Sequence, residues 1–78
     1  MLTVEQIKMA RSALGWSIQK LADTSLVSAR TIKRIESEGL IEKVTPANIR
    51  LLRETLEAAG IEFIGGPSEG PGVRLWRD

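Results

Sequence analysis

Residues 17–36 read SIQKLADTSLVSARTIKRIE, in which two short amphipathic patterns are separated by a turn of about three residues. Both patterns begin after a serine and place apolar side chains at helical spacing. Ala22 is small where two consecutive helices cross steeply, because a larger side chain would push them apart. The stretch therefore predicts two packed helices with a shared core. That core is expected to contain Leu21, Ala22, Val27, Ile32 and Ile35.

Helix starts are marked in four places by a hydroxyl residue that directly follows one apolar residue and precedes another by four positions. Such a residue accepts hydrogen bonds from the first N–H groups of a helix, and the apolar pair packs across the entry. The predicted N-cap residues are Thr3, Ser17, Ser28 and Thr45, and Gln6 completes a capping box with Thr3. The residues suited to the left-handed conformation that ends a helix are Gly15, Gly39 and Gly60. We therefore expect helices at about 4–14, 18–25, 29–37 and 46–59.

The pattern changes after Gly60 to two short runs typical of β-strands, residues 61–64 and 73–76. The eight residues between them contain no Lys and precede no helix, so they read as a flexible loop rather than a phosphate-binding one. If Ile61 faces the core, Leu75 shares that face and the acidic and basic residues at 62 and 74 lie opposite each other.

A lone hairpin is only marginally stable in water, so this one should pack on the helices, with helix four as the expected partner. We therefore expect a mainly α fold: a four-helix domain over residues 1–60, and a C-terminal two-stranded β-hairpin over residues 61–78 packed on the same domain.

The composition excludes most catalytic and metal chemistry. The 78 residues contain no His and no Cys, and 11 Lys and Arg stand against 10 Asp and Glu, which gives a net charge of +1. Zinc sites with His or Cys ligands, thiol nucleophiles and Ser-His-Asp triads are therefore excluded. The carboxylates form no acid–base pair in a predicted pocket, so we expect neither an enzyme nor a metal or other cofactor.

Membrane association is not expected either. The sequence has no run of about 20 apolar residues, which a membrane-spanning helix needs. Residues 1–5 have neither the basic nor the apolar segment of a signal peptide, so the expected location is cytoplasmic. The near-neutral net charge argues against a polybasic tail but permits a basic patch on one face.

The stretch at 17–36 resembles the helix-turn-helix of the Cro/lambda-repressor-like (XRE family) transcription regulators. The family pattern runs Ser-Gln-x-x-Leu-Ala, then Val-Ser, then Thr-Ile-x-x-Ile-Glu. The matching residues are Ser17, Leu21, Ala22, Val27, Ser28, Thr31, Ile32, Ile35 and Glu36. Gly15-Trp16-Ser17 and the Thr45-Pro46 start of helix four also resemble the family, so the likeness covers residues 3–60. It implies a lambda-repressor-like domain of the small single-domain bacterial or phage type, in which the hairpin replaces the fifth helix of many members.

Two positions depart from the family pattern. Ile18 stands where members usually have a Gln that touches phosphate, and Gln19 follows one step later. Leu26 stands where the turn usually has a Gly with positive φ. A non-glycine residue in that conformation costs about 1 kcal/mol or more, so we expect either strain at Leu26 or a different turn. The resemblance also implies a structural ion pair between Arg11 on helix one and Glu36.

The resemblance makes residues 28–36 a recognition helix for the major groove of DNA. From Ser28 to Ile35 this helix has three basic residues and no acidic one. The first residues of such a helix reach base edges, so base contacts are expected from Ala29, Arg30 and Lys33. Phosphate contacts are expected from Ser17, Gln19, Ser28, Thr31 and Arg34.

The expected function is sequence-specific transcriptional regulation by a homodimer on double-stranded DNA, with half-sites about 34 Å apart. The dimer contact is expected at the hairpin edge or at helix four. Two alternatives remain open. An antitoxin-like autoregulator would bind both its operator and a protein partner. A protein-interaction adaptor on the same scaffold would no longer read DNA. This alternative is kept because Ile18 and Leu26 depart from the family pattern.

Overall fold

In the computed structural model, which describes residues 2–39 and 41–77, four α-helices are followed by a two-stranded antiparallel hairpin. The helices are α1 (Val4–Leu14), α2 (Ile18–Ser25), α3 (Ala29–Glu38) and α4 (Pro46–Ala58), with a 3₁₀ helix at Ile41–Lys43. The strands are β1 (Ile61–Ile64) and β2 (Gly72–Leu75).

The predicted mainly α fold with a C-terminal hairpin is confirmed. The 3₁₀ helix was not predicted, and β2 begins and ends one residue earlier than expected. Met1, Leu40 and Asp78 belong to the predicted domain ranges but lie outside the described residues.

All four predicted N-cap residues take that role. Each hydroxyl oxygen accepts a hydrogen bond from the backbone N–H three residues later, at 3.0–3.2 Å. At α1 the Gln6 side chain also accepts from the Thr3 backbone N–H at 3.1 Å, which completes the capping box. Because these bonds join residues close in sequence, the helix starts are determined locally and can be read from the sequence.

Within the described residues, three helices end at a residue in the left-handed conformation. At the ends of α1 and α3 this residue is the predicted glycine, Gly15 (φ 69°) or Gly39 (φ 66°). At the end of α2 it is Leu26, with φ 66° and ψ 15°, the one non-glycine residue of positive φ in residues 2–39 and 41–77. The left-handed conformation costs such a residue roughly 1–2 kcal/mol, so Leu26 is strained.

The core lies where the four helices meet. The largest wholly buried aliphatic side chains are Ile7, Leu21, Ile32, Ile35, Leu52 and Leu56. All five core residues predicted for the α2–α3 unit are buried. On α4, Leu52 and Leu56 are wholly buried, whereas Ile49 near its start and Ala59 just after its end are half-buried.

The hairpin has the predicted register, with Ile61 opposite Leu75 and Glu62 opposite Arg74. Its packing differs from the prediction, because helix four is not its only partner. β1 packs on α4, whereas β2 lies along α1. The reason is Gln6, which is 1% exposed and lies at the hairpin end of α1. Its amide nitrogen donates at 3.0 Å to the carbonyl oxygens of both Ile64 and Gly72.

The outer face of the hairpin carries three exposed side chains that contact one another. The indole N–H of Trp76 donates to Glu62 Oε1 at 2.8 Å, and Arg74 Nη1 lies 3.3 Å from the same oxygen. The Arg74 guanidinium carbon also lies 5.5 Å from the centre of the Trp76 ring. The indole is therefore held in place although Trp76 is 61% exposed.

Candidate nucleic-acid interface

The α2–α3 unit is closed by hydrogen bonds within and next to its turn. The Leu26 N–H donates to the Ala22 carbonyl at 2.9 Å and ends α2. The buried Ser25 hydroxyl accepts from the Val27 N–H at 3.2 Å. Ser28 then caps α3, so the two helices are separated by three residues, as the sequence predicted. These local bonds set the direction in which α3 leaves the turn.

Arg11 connects α1 to both helices of this unit. Its Nε and Nη2 donate to the two carboxylate oxygens of Glu36 at 2.8 and 2.7 Å. Its Nη1 donates to the carbonyl oxygen of Trp16, just before α2, at 2.8 Å. The hydrogen bond to Glu36 raises the pKa of Arg11 above its ordinary value, and partial burial opposes this shift. The structure thus contains the ion pair that the resemblance implied, with the Glu36 side chain only 8% exposed.

The outward face of α3 carries the basic residues that were predicted to contact DNA. The two isoleucines of α3 are wholly buried, which leaves Arg30, Lys33 and Arg34 exposed to solvent. Arg34 Nε lies 3.4 Å from Glu38 Oε2, in an exposed pair of the kind that contributes little. Within residues 2–39 and 41–77, Arg30 and Lys33 form no ion pair. Two positive charges of α3 are therefore available to an anion outside the chain.

A shallow groove of about 380 Å³ runs between α2 and the start of α3. It is lined by Gln19, Ala22, Asp23, Leu26, Val27, Ser28 and Ala29. Ala29 packs partly on the core, so only part of its methyl surface is exposed. The Gln19 amide donates to Asp23 Oδ1 at 2.8 Å. The groove therefore brings together the predicted base-contacting residue Ala29 and two predicted phosphate-contacting residues, Gln19 and Ser28.

The hydroxyl groups predicted to contact phosphate lie at helix N-termini. Ser17 and Ser28 are exposed caps of α2 and α3, and Thr31 is half-buried in the first turn of α3. The Ser28 hydroxyl also donates to Thr31 Oγ1 at 2.8 Å. Backbone N–H groups and the helix dipole make both of these ends favourable for an anion.

A cleft of about 140 Å³ between α3 and α4 contains residues that the sequence did not indicate as functional. It is lined by Thr31, Arg34, Lys43, Val44, Thr45 and Asn48. Lys43 comes from the 3₁₀ helix and therefore lies in the same cleft as Arg34, beside the N-terminus of α4. The segment between α3 and α4 has no periodic pattern, so its course, and with it this arrangement, could not be predicted.

A larger groove of about 430 Å³ is formed by the start of α4 and the segments beside it. It is lined by Leu2, Ile41, Glu42, Val44, Pro46, Ile49, Arg50 and Arg53. Most of this lining is aliphatic, and the two arginines outnumber the single acidic residue. The groove thus differs from the α3 surface, where charge dominates.

Two kinds of feature are absent from the part of the chain that the structure describes. None of its helices is long and apolar enough to span a bilayer, and no three acidic side chains gather as a metal site. In comparisons with known proteins, no protein-family model, no curated protein and no solved structure matches the chain. The candidate interface is therefore defined by its own geometry and charge.

Proposed function

We propose that this chain is a sequence-specific DNA-binding transcriptional regulator of the Cro/lambda-repressor-like helix-turn-helix type. The observation that carries the proposal is the outer face of α3, where Arg30 and Lys33 are exposed and have no ion pair within the described residues. A helix that buries its apolar face on its own domain and presents unpaired cations outward suits the anionic, acceptor-rich major groove of DNA.

In the proposed complex, α3 lies in the major groove and α2 crosses the phosphate backbone. Arg30 and Lys33 donate to guanine O6 and N7, while the exposed part of Ala29 contacts a thymine methyl. Phosphates are bound at the N-termini of α2 and α3 and by Arg34. The cleft between α3 and α4 adds Lys43 as a further phosphate-binding residue beside Arg34.

The regulator would act by binding alone, as a homodimer in the cytoplasm, without cofactor or catalysis. A single module of this size covers little DNA, so two copies on an inverted repeat would supply the affinity. Exposed apolar side chains mark the two candidate dimer surfaces: Trp76 on the hairpin and Leu51 on α4. Sedimentation of Trp76→Ser and Leu51→Gln variants at equal concentration should show dissociation in one of them.

The proposal is tested by selecting duplexes from a random pool and measuring their affinity by fluorescence anisotropy at increasing salt. If about five phosphates are contacted, raising the salt fourfold should weaken binding by two to three orders of magnitude. A flat salt response, or no binding at micromolar protein, would contradict the proposal and would favour the adaptor alternative.

A second candidate, an antitoxin-like autoregulator with a protein partner, is favoured by the aliphatic groove at α4. Arg50 and Arg53 beside an apolar floor fit a partner segment that is apolar on one face and acidic at its edge. This candidate keeps DNA binding, so the salt experiment does not separate it from the first. An Ile49→Ser variant separates the two candidates: if it binds DNA like the parent but no longer binds a protein partner, the antitoxin-like candidate is supported.

A further inference from the structure

Leu26 combines a strained backbone with an exposed apolar side chain. Its backbone is in the left-handed conformation, and the residue is 83% exposed, the highest value among the described large apolar residues. Strained residues are normally retained because the surrounding structure requires them. Here the exposed side chain recovers nothing by packing within the chain, so its presence is not explained by the fold.

The turn itself does not need a leucine. The bond that closes α2 runs from the Leu26 backbone N–H to the Ala22 carbonyl at 2.9 Å, and any residue but proline can make it. At the ends of α1 and α3 the same left-handed conformation is taken by Gly15 and Gly39, which have no Cβ to strain. The leucine side chain therefore contributes neither to the turn nor to the core.

Its position is at the edge of the proposed DNA-binding surface. Leu26 lines the same groove as Gln19 and Ala29, and it precedes the N-cap of α3 by two residues. The charged group of this groove is Asp23, whose carboxylate disfavours a nearby phosphate. Attraction to DNA at Leu26 itself would therefore come from apolar contact, beside the phosphate-binding N-terminus of α3 and the cations further along that helix.

We propose that Leu26 is a DNA-contacting residue whose side chain packs on apolar groups of the duplex beside the bases that α3 reads. Those groups are a thymine methyl or the carbon–hydrogen surface of a deoxyribose. This inference rests on the proposed DNA-binding function. The strain is tolerated in the free protein because the exposed side chain adds contact area in the complex.

The test compares Leu26→Gly and Leu26→Asn with the control Leu26→Met on a duplex selected by the parent. Gly and Asn relieve the left-handed strain, so the melting temperature should rise by about 4 °C. The same two variants should bind the duplex about tenfold more weakly, as expected when about half of a leucine side chain is no longer buried. Leu26→Met keeps both the strain and the apolar surface, so it should match the parent in both measurements.

Replacing each thymine of the duplex by deoxyuridine distinguishes the two apolar groups. A methyl contact predicts that one replacement weakens the parent but not Leu26→Gly, whereas a deoxyribose contact predicts no such position. Parent-like DNA affinity of a stabilised Leu26→Gly would overturn the inference while leaving the proposed function intact, and would assign this surface to a protein partner. If the parent itself selects no duplex, both the proposed function and this inference fail.

Discussion

Helix α3 and the C-terminal hairpin are both attached to α1, each through one polar side chain of that helix. Arg11 binds Glu36 of α3 through a charged, two-pronged contact, and Gln6 binds the carbonyl groups at the end of the hairpin through a neutral amide. The two regions differ in whether their exposed basic side chains are paired with an acidic one. In the hairpin, Arg74 is neutralised by Glu62 and stacks on an indole.

On α3, by contrast, Arg30 and Lys33 have no partner within the described residues. Of these three exposed cations, that of Arg74 is paired within its own element, whereas those of Arg30 and Lys33 are available to an anion outside the chain. Four experiments test this contrast, and they follow in order of expected effect.

Arg11→Met should have the largest effect, lowering the free energy of unfolding by about 3 kcal/mol, because it leaves the buried Glu36 carboxylate without its partner. Urea denaturation measures the loss, and the double variant Arg11→Met/Glu36→Met should recover much of it. The hydrogen bond raises the pKa of Arg11, so the contribution of its charge is complete below the ordinary arginine pKa and is lost only as pH rises through the folded value. A loss below about 1 kcal/mol would contradict this role.

Gln6→Ala should cost about 2 kcal/mol, because two carbonyl groups at the hairpin end lose a buried donor. Hydrogen exchange of the β1 and β2 amides should accelerate more than that of α3. Gln6→Glu is the matched control, since its carboxylate can still accept from the Thr3 N–H but cannot donate to the hairpin. If that variant were as stable as the parent, the amide would not be what attaches the hairpin.

Arg30→Ala should weaken binding to a selected duplex about tenfold, while affinity for random DNA changes little. Arg34→Ala should weaken both duplexes alike and reduce the salt slope by about 1, as expected for a phosphate contact. Arg74→Ala removes an arginine of similar exposure from the hairpin and serves as the control, with parent-like binding expected. Anisotropy titrations with all three variants measure these differences. Equal effects at positions 30 and 74 would remove the contrast between the two regions.

Glu62→Gln should have the smallest effect, about 0.5 kcal/mol, because its pair with Arg74 is exposed. The emission of Trp76 should change, since the indole N–H would face an amide oxygen in place of a carboxylate. The matched control is the same substitution at Glu57 in the exposed pair on α4, which should cost as little without changing Trp76 emission. A large loss of stability at position 62 alone would mean that the outer hairpin face contributes to the fold.

Local chemistry explains which parts of the fold could be predicted from the sequence. The four helix starts depend on bonds between residues three apart, and the hairpin register follows from alternation of apolar and charged residues. The second attachment of the hairpin could not be predicted, because it depends on Gln6 reaching residues about sixty positions away. Lys43 was missed for a different reason, since its place in the same cleft as Arg34 depends on the course of an aperiodic segment. At Leu26 the sequence indicated strain or a different turn, and only the backbone angle distinguished them.

The junction between α4 and β1 has a consequence for how two copies of this chain can associate. Only Ala59 and Gly60 separate these elements, and the backbone N–H of Trp76 donates to the Gly60 carbonyl at 2.8 Å. A Cβ at Gly60 would lie 2.7 Å from the Trp76 carbonyl oxygen, so the two chain segments touch there. A connection of two residues gives the hairpin little freedom to turn relative to α4 unless this contact breaks. Hairpins that meet across an interface with this contact intact would therefore meet in the orientation that their own helices fix.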